Sequence, residues 1–201
     1  MATRRKTGSK RAASRRQAAS GDAESRVVEA ALDLADSQGW RRTTLTDIAR
    51  AAGLSLADLH RQLPSRGAIL AACVRHFDRI ALTGPAPDKD DKPKDQLFDL
   101  LMRRFEALKP HRKAVRSMAW DSFGDPAALL TLKRLLASMG WMLEAAGVPT
   151  AGVAGLAKRR ILLLAYLSVL AVFLRDESAD LGKTMAALDR RLSMIEPFLG
   201  L

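Results

Sequence analysis

The side chains that carry most enzyme chemistry are few in this sequence and far apart. The histidines are His60, His76 and His111, and none lies in a His-Glu-x-x-His arrangement. The single cysteine, Cys73, has no second thiolate with which to form an internal disulfide or a metal cluster. The sequence also lacks a Gly-x-Ser-x-Gly motif and a glycine-rich phosphate loop. We therefore expect no catalytic residues, no metal, no cofactor and no enzyme activity.

A basic N-terminal segment indicates a different chemistry, the binding of a polyanion. The net charge is +11, and residues 1–16 hold seven basic residues and no acidic one. Residues 17–82 balance eight basic against eight acidic residues, and residues 83–201 hold eighteen and fourteen. Residues 1–21 are therefore interpreted as a basic disordered arm for a polyanion. The alternative is a solubilising leader. Since this segment has no apolar core, we expect no secretory signal and a cytoplasmic protein.

The elements that must position any site are predicted to be helices, because strand alternation and hairpin turns are nearly absent. Apolar residues at helical spacing indicate a first helix from Asp22 to Gln38. Capping boxes at Thr44 and Ser55 start two short helices, and Gly53 permits the reversal between them. The second short helix ends before Pro64. The expected fold is all-α.

These signals resemble the DNA-binding domain of the TetR family over residues 24 to about 80. The resemblance is carried by Gly39-Trp40, Thr43-Thr44, Asp47-Ile48-Ala49, Ala52-Gly53-Leu54-Ser55 and Leu63-Pro64-Ser65-Arg66. It implies a helix-turn-helix domain over residues 22–82 and a homodimer on double-stranded DNA. The recognition helix would be Ser55 to Leu63, with half-sites about 34 Å apart.

Candidate DNA contacts follow from this resemblance. They are Thr43, Thr44, Ser55, Leu56, Ala57, His60, Arg61, Gln62 and Arg66. Thr44 and Arg66 would contact phosphates, and Leu56 and Ala57 could touch a thymine methyl. Arg61 is the best candidate for contacting a base edge, with Gln62 second. The family usually has tyrosine and histidine where this sequence has His60 and Gln62, which predicts a weaker grip on the DNA backbone.

A proline- and charge-rich stretch separates this domain from the rest of the chain. Residues 83–94 are predicted to be a linker, and the aspartates in it lack the glutamate of a calcium loop. Beyond it, helices are expected at about 95–108, 111–122, 126–146, 153–175 and 180–199. We interpret residues 95–201 as an effector-binding and dimerisation domain.

Large, adaptable side chains are concentrated in this second domain. They are Met102, Phe105, Met118, Trp120, Phe123, Met139, Trp141, Met142 and Tyr166. Each alone is better explained as core, but together they fit a pocket for a small apolar effector, with Tyr166 as a polar handle.

The last two helices carry an extended apolar surface that needs to be covered. One stripe consists of Leu181, Met185, Leu188, Leu192, Ile195 and Leu199. TetR-like proteins usually dimerise through these two helices, and the alternative is an ordinary intrachain core. The longest apolar run, Ile161 to Leu174, has fourteen residues, whereas a bilayer span needs roughly 20. We expect no stable membrane insertion.

A second resemblance, over about residues 155–195, is to the lipid-binding accessory protein of coenzyme Q biosynthesis, which has a TetR-like fold. It is carried by Arg160, Leu163, Tyr166, Leu170, Phe173-Leu174, Asp176, Ser178, Thr184 and Leu188-Asp189-Arg190-Arg191. It implies a long apolar ligand, although that family continues into a membrane-associating helix where this sequence ends. Two hypotheses remain: a regulator, most simply a repressor, released by an apolar ligand, and a lipid-binding accessory protein with a vestigial helix-turn-helix. The capping boxes and the basic arm favour the regulator.

Overall fold

The computed structural model describes the backbone of residues 5–85, 91–121 and 127–201, with side chains described from residue 21 onward except at 127 and 128. Every regular element in these ranges is helical, which confirms the all-α class. The helices are α1 (Arg5–Gln38), α2 (Leu45–Ala51), α3 (Leu56–Gln62), α4 (Arg66–Leu82), α5 (Pro93–Leu108), α6 (Arg112–Asp121), α7 (Ala127–Ala145), α8 (Gly152–Phe173) and α9 (Gly182–Leu199). Short 3-10 turns lie at Trp40–Arg42 and Lys109–His111.

Helix α1 starts earlier than predicted. The sequence placed its first residue at Asp22, at the end of an arm interpreted as disordered, whereas the helix begins at Arg5. Ten of the sixteen residues from 5 to 20 are alanine, arginine or lysine, which have high helix propensity, and none is proline. The polarity of this segment prevents a core of its own but does not oppose continuation of a helix. Its side chains lie outside the described residues.

Helices α1 to α4 form the N-terminal unit around a small apolar core. Val27, Val28 and Ala31 of α1 are fully buried, and Ile48 of α2 and Leu59 of α3 pack into the same cluster. The turn between α2 and α3 needs a left-handed residue, and Gly53 supplies it with φ of 65°. The two short helices are therefore held in the core by Ile48 and Ala49 of α2 and by Leu59 and Leu63 at α3, with a glycine turn between them.

Helices α5 to α9 form the C-terminal unit, and α4 packs against both α5 and α7. Helix α4 thus belongs to both units and connects them mechanically. Of the six stripe residues predicted on α9, Leu181, Leu188, Leu192 and Leu199 are buried within this chain, while Met185 is 43% exposed. The stripe is therefore mainly intrachain core, which was the alternative reading.

A buried carboxylate closes the corner between α8 and α9. Asp176 accepts hydrogen bonds from the backbone amide and hydroxyl of Ser178 and from those of Thr184, at 2.5 to 3.1 Å. Burial alone raises the pKa of Asp176, but these hydrogen bonds outweigh it and hold the pKa well below its usual range. Asp176 thereby fixes the start of α9.

Within the described ranges, we find no helix that combines the length and the apolar character needed to cross a membrane.

Candidate nucleic-acid interface and polar centre

The start of α2 shows the complete capping box predicted at Thr44. The Thr44 hydroxyl accepts from the Asp47 amide at 3.1 Å, and the Asp47 carboxylate accepts from the Thr44 amide at 3.1 Å and from its hydroxyl at 2.6 Å. These bonds, the one from the hydroxyl most of all, lower the pKa of Asp47. Because both donors of Thr44 are engaged, a phosphate at this helix start must use the next amides or compete with Asp47.

Thr43 does not lie on the surface, contrary to the prediction. Its side chain is fully buried, and its hydroxyl donates to the Gly39 carbonyl at 3.0 Å. The Trp40–Arg42 turn ends at Thr43, whose backbone amide donates to the Trp40 carbonyl at 3.1 Å. Thr43 therefore supports the domain from inside and is unavailable to DNA.

Arg66 is engaged within the chain as well. Its guanidinium donates to the Thr43 carbonyl at 2.5 Å and to the Trp40 carbonyl at 2.6 Å, and it lies 4.4 Å from the centre of the Trp40 ring. A planar fork that satisfies two carbonyls and stacks on an indole holds the turn between α1 and α2. These contacts give Arg66 a structural role, whereas the sequence predicts a contact with phosphate.

Helix α3 presents most of the predicted contact residues on one outward face. Its inner face is anchored by Leu59 and Leu63, which are 1% and 4% exposed. The outward residues are all exposed: Ser55, Leu56, Ala57, His60 and Arg61. Leu56 is 51% exposed and so is accessible on this face.

The cap of α3 departs in one detail from the predicted box. Ser55 accepts from the Asp58 amide at 3.0 Å, but its hydroxyl, and not its backbone amide, is the described donor to the Asp58 carboxylate, at 2.6 Å. The pKa of Asp58 is lowered, mainly by this hydroxyl. Asp58 also forms an exposed ion pair with Arg61 three residues later.

Gln62, the second candidate for contacting bases, points inward. It is half-buried, and its side-chain oxygen is buried without a hydrogen-bond partner in the described structure. Position 62 follows the buried Leu59 by three residues and so shares its side of the helix. That spacing was visible in the sequence and argues against Gln62 as an outward contact.

Three exposed arginines that the sequence analysis did not single out precede α3 in the sequence. From residue 41 to residue 66 there are five arginines and two aspartates, a net charge of +3. Of these, Arg41, Arg42 and Arg50 are exposed. The signal that could have identified them is their position at the two ends of α2, with Arg41 and Arg42 before its start and Arg50 in its last turn.

The predicted effector residues divide into a buried and an exposed set. Six are buried: Met102, Phe105, Met118, Met139, Met142 and Tyr166. Trp120 is 63% exposed and Trp141 is 59% exposed, so neither lines an interior pocket and both predictions are wrong. Each tryptophan follows a buried methionine, Met118 or Met139, by two positions, which is about 200° around the helix and places it on the opposite side. Phe123 lies outside the described residues.

A buried polar centre lies among these residues and was missed by sequence reasoning. The Arg104 guanidinium donates to the Tyr166 hydroxyl at 3.1 Å, to the Ser138 hydroxyl at 2.6 Å and to the Asp78 carboxylate. The Ser138 hydroxyl also donates to Asp78, at 2.6 Å. Arg104 is 2% exposed and the Asp78 side chain 5%. Four helices, α4, α5, α7 and α8, therefore meet at one ion pair.

The electrostatics of this centre follow from its burial. Desolvation alone lowers the pKa of the Arg104 guanidinium, but Tyr166 and Asp78 outweigh it, so the pKa lies above its usual value. The Arg104 guanidinium lies 5.0 Å from the centre of the Tyr166 ring, and the Phe105 ring stacks on the Tyr166 ring with the two centres 5.3 Å apart. Arg104 stays charged inside an aromatic and thioether environment.

A surface depression of about 410 Å³ lies elsewhere, on the outer side of α1 and the end of α2. It is lined by Arg26, Glu29, Ala30, Asp33, Leu34, Ser37, Ala51 and Ala52. None of the predicted contact residues lines it. Among the described side chains, no group of three or more histidine, cysteine, aspartate or glutamate residues could hold a metal ion.

Comparison with known proteins supports both resemblances. Residues 27–73 match the model of the bacterial regulatory proteins of the tetR family, and residues 128–198 match that of the COQ9 family. Each match covers less than half of the chain. No curated protein sequence matches the chain significantly.

Solved structures of similar fold are TetR regulators. One from Nitrosomonas europaea ATCC 19718 is 24% identical, with a TM-score of 0.69, and the match covers 85% of this chain and 96% of that one. One from Rhodococcus sp. RHA1 is 21% identical, with a TM-score of 0.66, covering 87% and 95%. The TetR-like fold is therefore confirmed over nearly the whole chain.

Proposed function

We propose that this protein is a DNA-binding transcriptional regulator, most simply a repressor, that acts as a homodimer and is released by a small amphiphilic or apolar ligand. The observation that carries the proposal is the outward face of α3. This face is held by buried leucines and exposes Leu56 and Arg61, and the segment from residue 41 to residue 66 carries a net charge of +3. A regulator of this kind acts in the cytoplasm, where the DNA is.

The proposed contacts follow from the exposure of each side chain. Arg61 contacts a base edge, Leu56 and Ala57 contact thymine methyl groups, and Ser55 and His60 contact the sugar-phosphate backbone. Arg61 must leave its ion pair with Asp58 to do this. Because exposed ion pairs contribute little to stability, that cost is small.

The proposed dimer forms through the outer faces of α8 and α9. Leu164 is 69% exposed, Phe198 68% and Met194 56%, although all three lie on helices whose other sides are buried. Apolar side chains exposed at this density mark an interaction surface. A symmetric pair would present two α3 helices to successive major grooves, about 34 Å apart.

The basic N-terminal segment contributes affinity that does not depend on sequence. Each neutralised phosphate contributes about 0.9 to the slope of log K against log salt. Deleting residues 2–16 removes seven basic residues, and we expect the slope to fall by up to about 6. An unchanged slope would exclude a role for this segment on DNA.

The experiment that tests the proposal is a titration of the full chain on double-stranded DNA from the promoter beside its own gene, at low salt. We expect a shift in wild type that Ala57→Glu abolishes, because a carboxylate on the exposed face of α3 repels the duplex. The matched control Ala137→Glu changes an equally exposed alanine on α7 and should leave the shift intact. Absence of any shift in wild type, or equal loss in both variants, would refute the proposal.

The match over residues 128–198 supports a second candidate, a lipid-binding accessory protein with a vestigial helix-turn-helix. It predicts that long-chain lipids co-purify with the protein and that promoter DNA does not bind. Mass spectrometry of the extracted protein, together with the same DNA titration, separates the two functions.

A further inference from the structure

The polar centre at Arg104 has features that a purely structural ion pair does not require. One oxygen of Asp78 accepts from Arg104 and from Ser138, but the other oxygen, buried as deeply, has no hydrogen-bond donor in the described structure. A buried acceptor without a donor is unfavourable. Asp78 is therefore an imperfect partner for Arg104.

The Tyr166 hydroxyl, in turn, has a proton without an acceptor. Its hydroxyl accepts from Arg104, yet no described atom accepts the hydroxyl's own proton, although the residue is 2% exposed. A tyrosine hydroxyl buried in this way usually finds an acceptor. Arg104 and Tyr166 together thus present a guanidinium and an unused O–H donor, which are the groups that bind a carboxylate.

The surroundings suit the rest of an amphiphile. Phe105, Met139 and Met142 are fully buried and belong to the same core cluster. Methionine side chains change rotamer at low cost and can open space for an alkyl chain. The Asp78 carboxylate also has a second cationic partner, because Arg134, 28% exposed, lies 3.6 Å from its second oxygen.

We propose that the effector is an anionic amphiphile, an alkyl chain with a carboxylate, whose carboxylate binds Arg104 and Tyr166 in place of Asp78 while Asp78 keeps its ion pair with Arg134. This inference rests on the proposed function for its effect on DNA, but the binding site stands on its own geometry. The proposal assigns a carboxylate head group to the ligand, whereas the apolar residues alone do not indicate any head group.

The same exchange couples the ligand to DNA. Asp78 lies on α4, the helix shared by both units, and its ion pair ties α4 to α5 and α7. When the ligand takes Arg104, α4 loses this tie and the two α3 helices of the dimer change their separation. A ligand acts in this way only if it prefers that altered state.

The test uses dodecanoate and dodecan-1-ol, two chains of equal length that differ in the head group, measured by calorimetry on the full protein without DNA. We expect dodecanoate to bind about tenfold tighter than the alcohol, the equivalent of one charge-assisted hydrogen bond. Asp78→Asn removes the competing charge and should tighten dodecanoate by about tenfold while leaving the alcohol unchanged. Tyr166→Phe should weaken dodecanoate alone.

The matched control is Asp99→Asn, which removes an exposed carboxylate on α5 and should change neither affinity. If Asp78 had only a structural role, Asp78→Asn would change the affinity for both compounds equally, and that result would overturn the proposal. Dodecanoate that binds no tighter than dodecan-1-ol, or does not bind, would overturn it as well. If Asp78→Asn fails to fold, Tyr166→Phe tests the proposal in its place, because it removes only one hydroxyl and should weaken the binding of dodecanoate alone. Head-group selectivity without any DNA binding would overturn the regulator and leave this site intact.

Discussion

Replacing Arg66 separates a structural role from a DNA contact. In the structure its guanidinium donates to the carbonyls of Trp40 and Thr43 and stacks on the Trp40 ring. Arg66→Gln removes the charge and the fork geometry while it keeps one amide donor. The 3-10 turn that leads into α2 then loses its main external support.

The expected loss of stability follows from these contacts. A hydrogen bond from a charged group contributes about 1.5–3 kcal/mol, and a cation–π contact at a partly exposed site about 0.5–1 kcal/mol. Glutamine recovers part of one hydrogen bond, and Arg66 is only half-buried, so we expect a net loss of about 2–3 kcal/mol. For a chain of this size that corresponds to a fall in Tm of roughly 4–10 °C.

The assay combines thermal unfolding with the salt dependence of DNA binding below the Tm. We expect Arg66→Gln to lower Tm and to leave the salt slope unchanged, whereas loss of one phosphate contact reduces the slope by about 0.9. Arg61→Gln is the control, because its exposed ion pair with Asp58 contributes little to stability. An Arg66→Gln protein with wild-type Tm and a reduced slope would refute the structural account of this residue.

Three further predictions concern the turn, the corner and the outer surface. Gly53→Ala places a β-carbon at a φ of 65°, which should lower the free energy of unfolding by about 1–2 kcal/mol in denaturant titrations. The depressed pKa of Asp176 means that its stabilising effect is present above its ordinary pKa of about 3.9 and is lost as the pH falls below that value. Asp176→Asn should therefore destabilise the protein at pH 7 and flatten the decline of Tm on the acid side. A decline as steep as in wild type would contradict this. Leu164→Arg should yield monomers in analytical ultracentrifugation, whereas Leu129→Arg, at a site 70% exposed on α7, should not; dimers in both variants would place the interface elsewhere.

The local features of the helix-turn-helix could be predicted from sequence because their causes are local. Thr44 and Asp47 are three residues apart, and Gly53 and Pro64 act on their immediate neighbours. The helices they delimit agree with the structure to within one or two residues. Such signals need no knowledge of the rest of the chain.

The errors at the interface arise from contacts across the sequence. The phosphate contact of Arg66 was predicted from the family resemblance, and its actual partners are carbonyls 23 and 26 residues earlier, which no local pattern indicates. Thr43 is fully buried at the end of the Trp40–Arg42 turn. The position of each residue in the sequence does not show which atoms surround it in the fold.

The polar centre was missed for a related reason. Asp78 and Arg104 are 26 residues apart on different helices, and each alone is a charged residue that is expected on a surface. Only the packing of α4 against α5 and α7 shows that they are buried together. Tyr166 was predicted as a polar handle, but its partner could not be named from sequence.

The central claim, that paired α3 helices recognise a specific DNA sequence, is tested most directly by selection from a random pool of double-stranded DNA. We expect enrichment of a two-fold symmetric site with half-site centres about one helical turn apart. Arg61→Gln should relax base preference at the same position in both half-sites. Failure to enrich any sequence, or an enriched site without symmetry whose preferences Arg61→Gln leaves unchanged, would contradict the account.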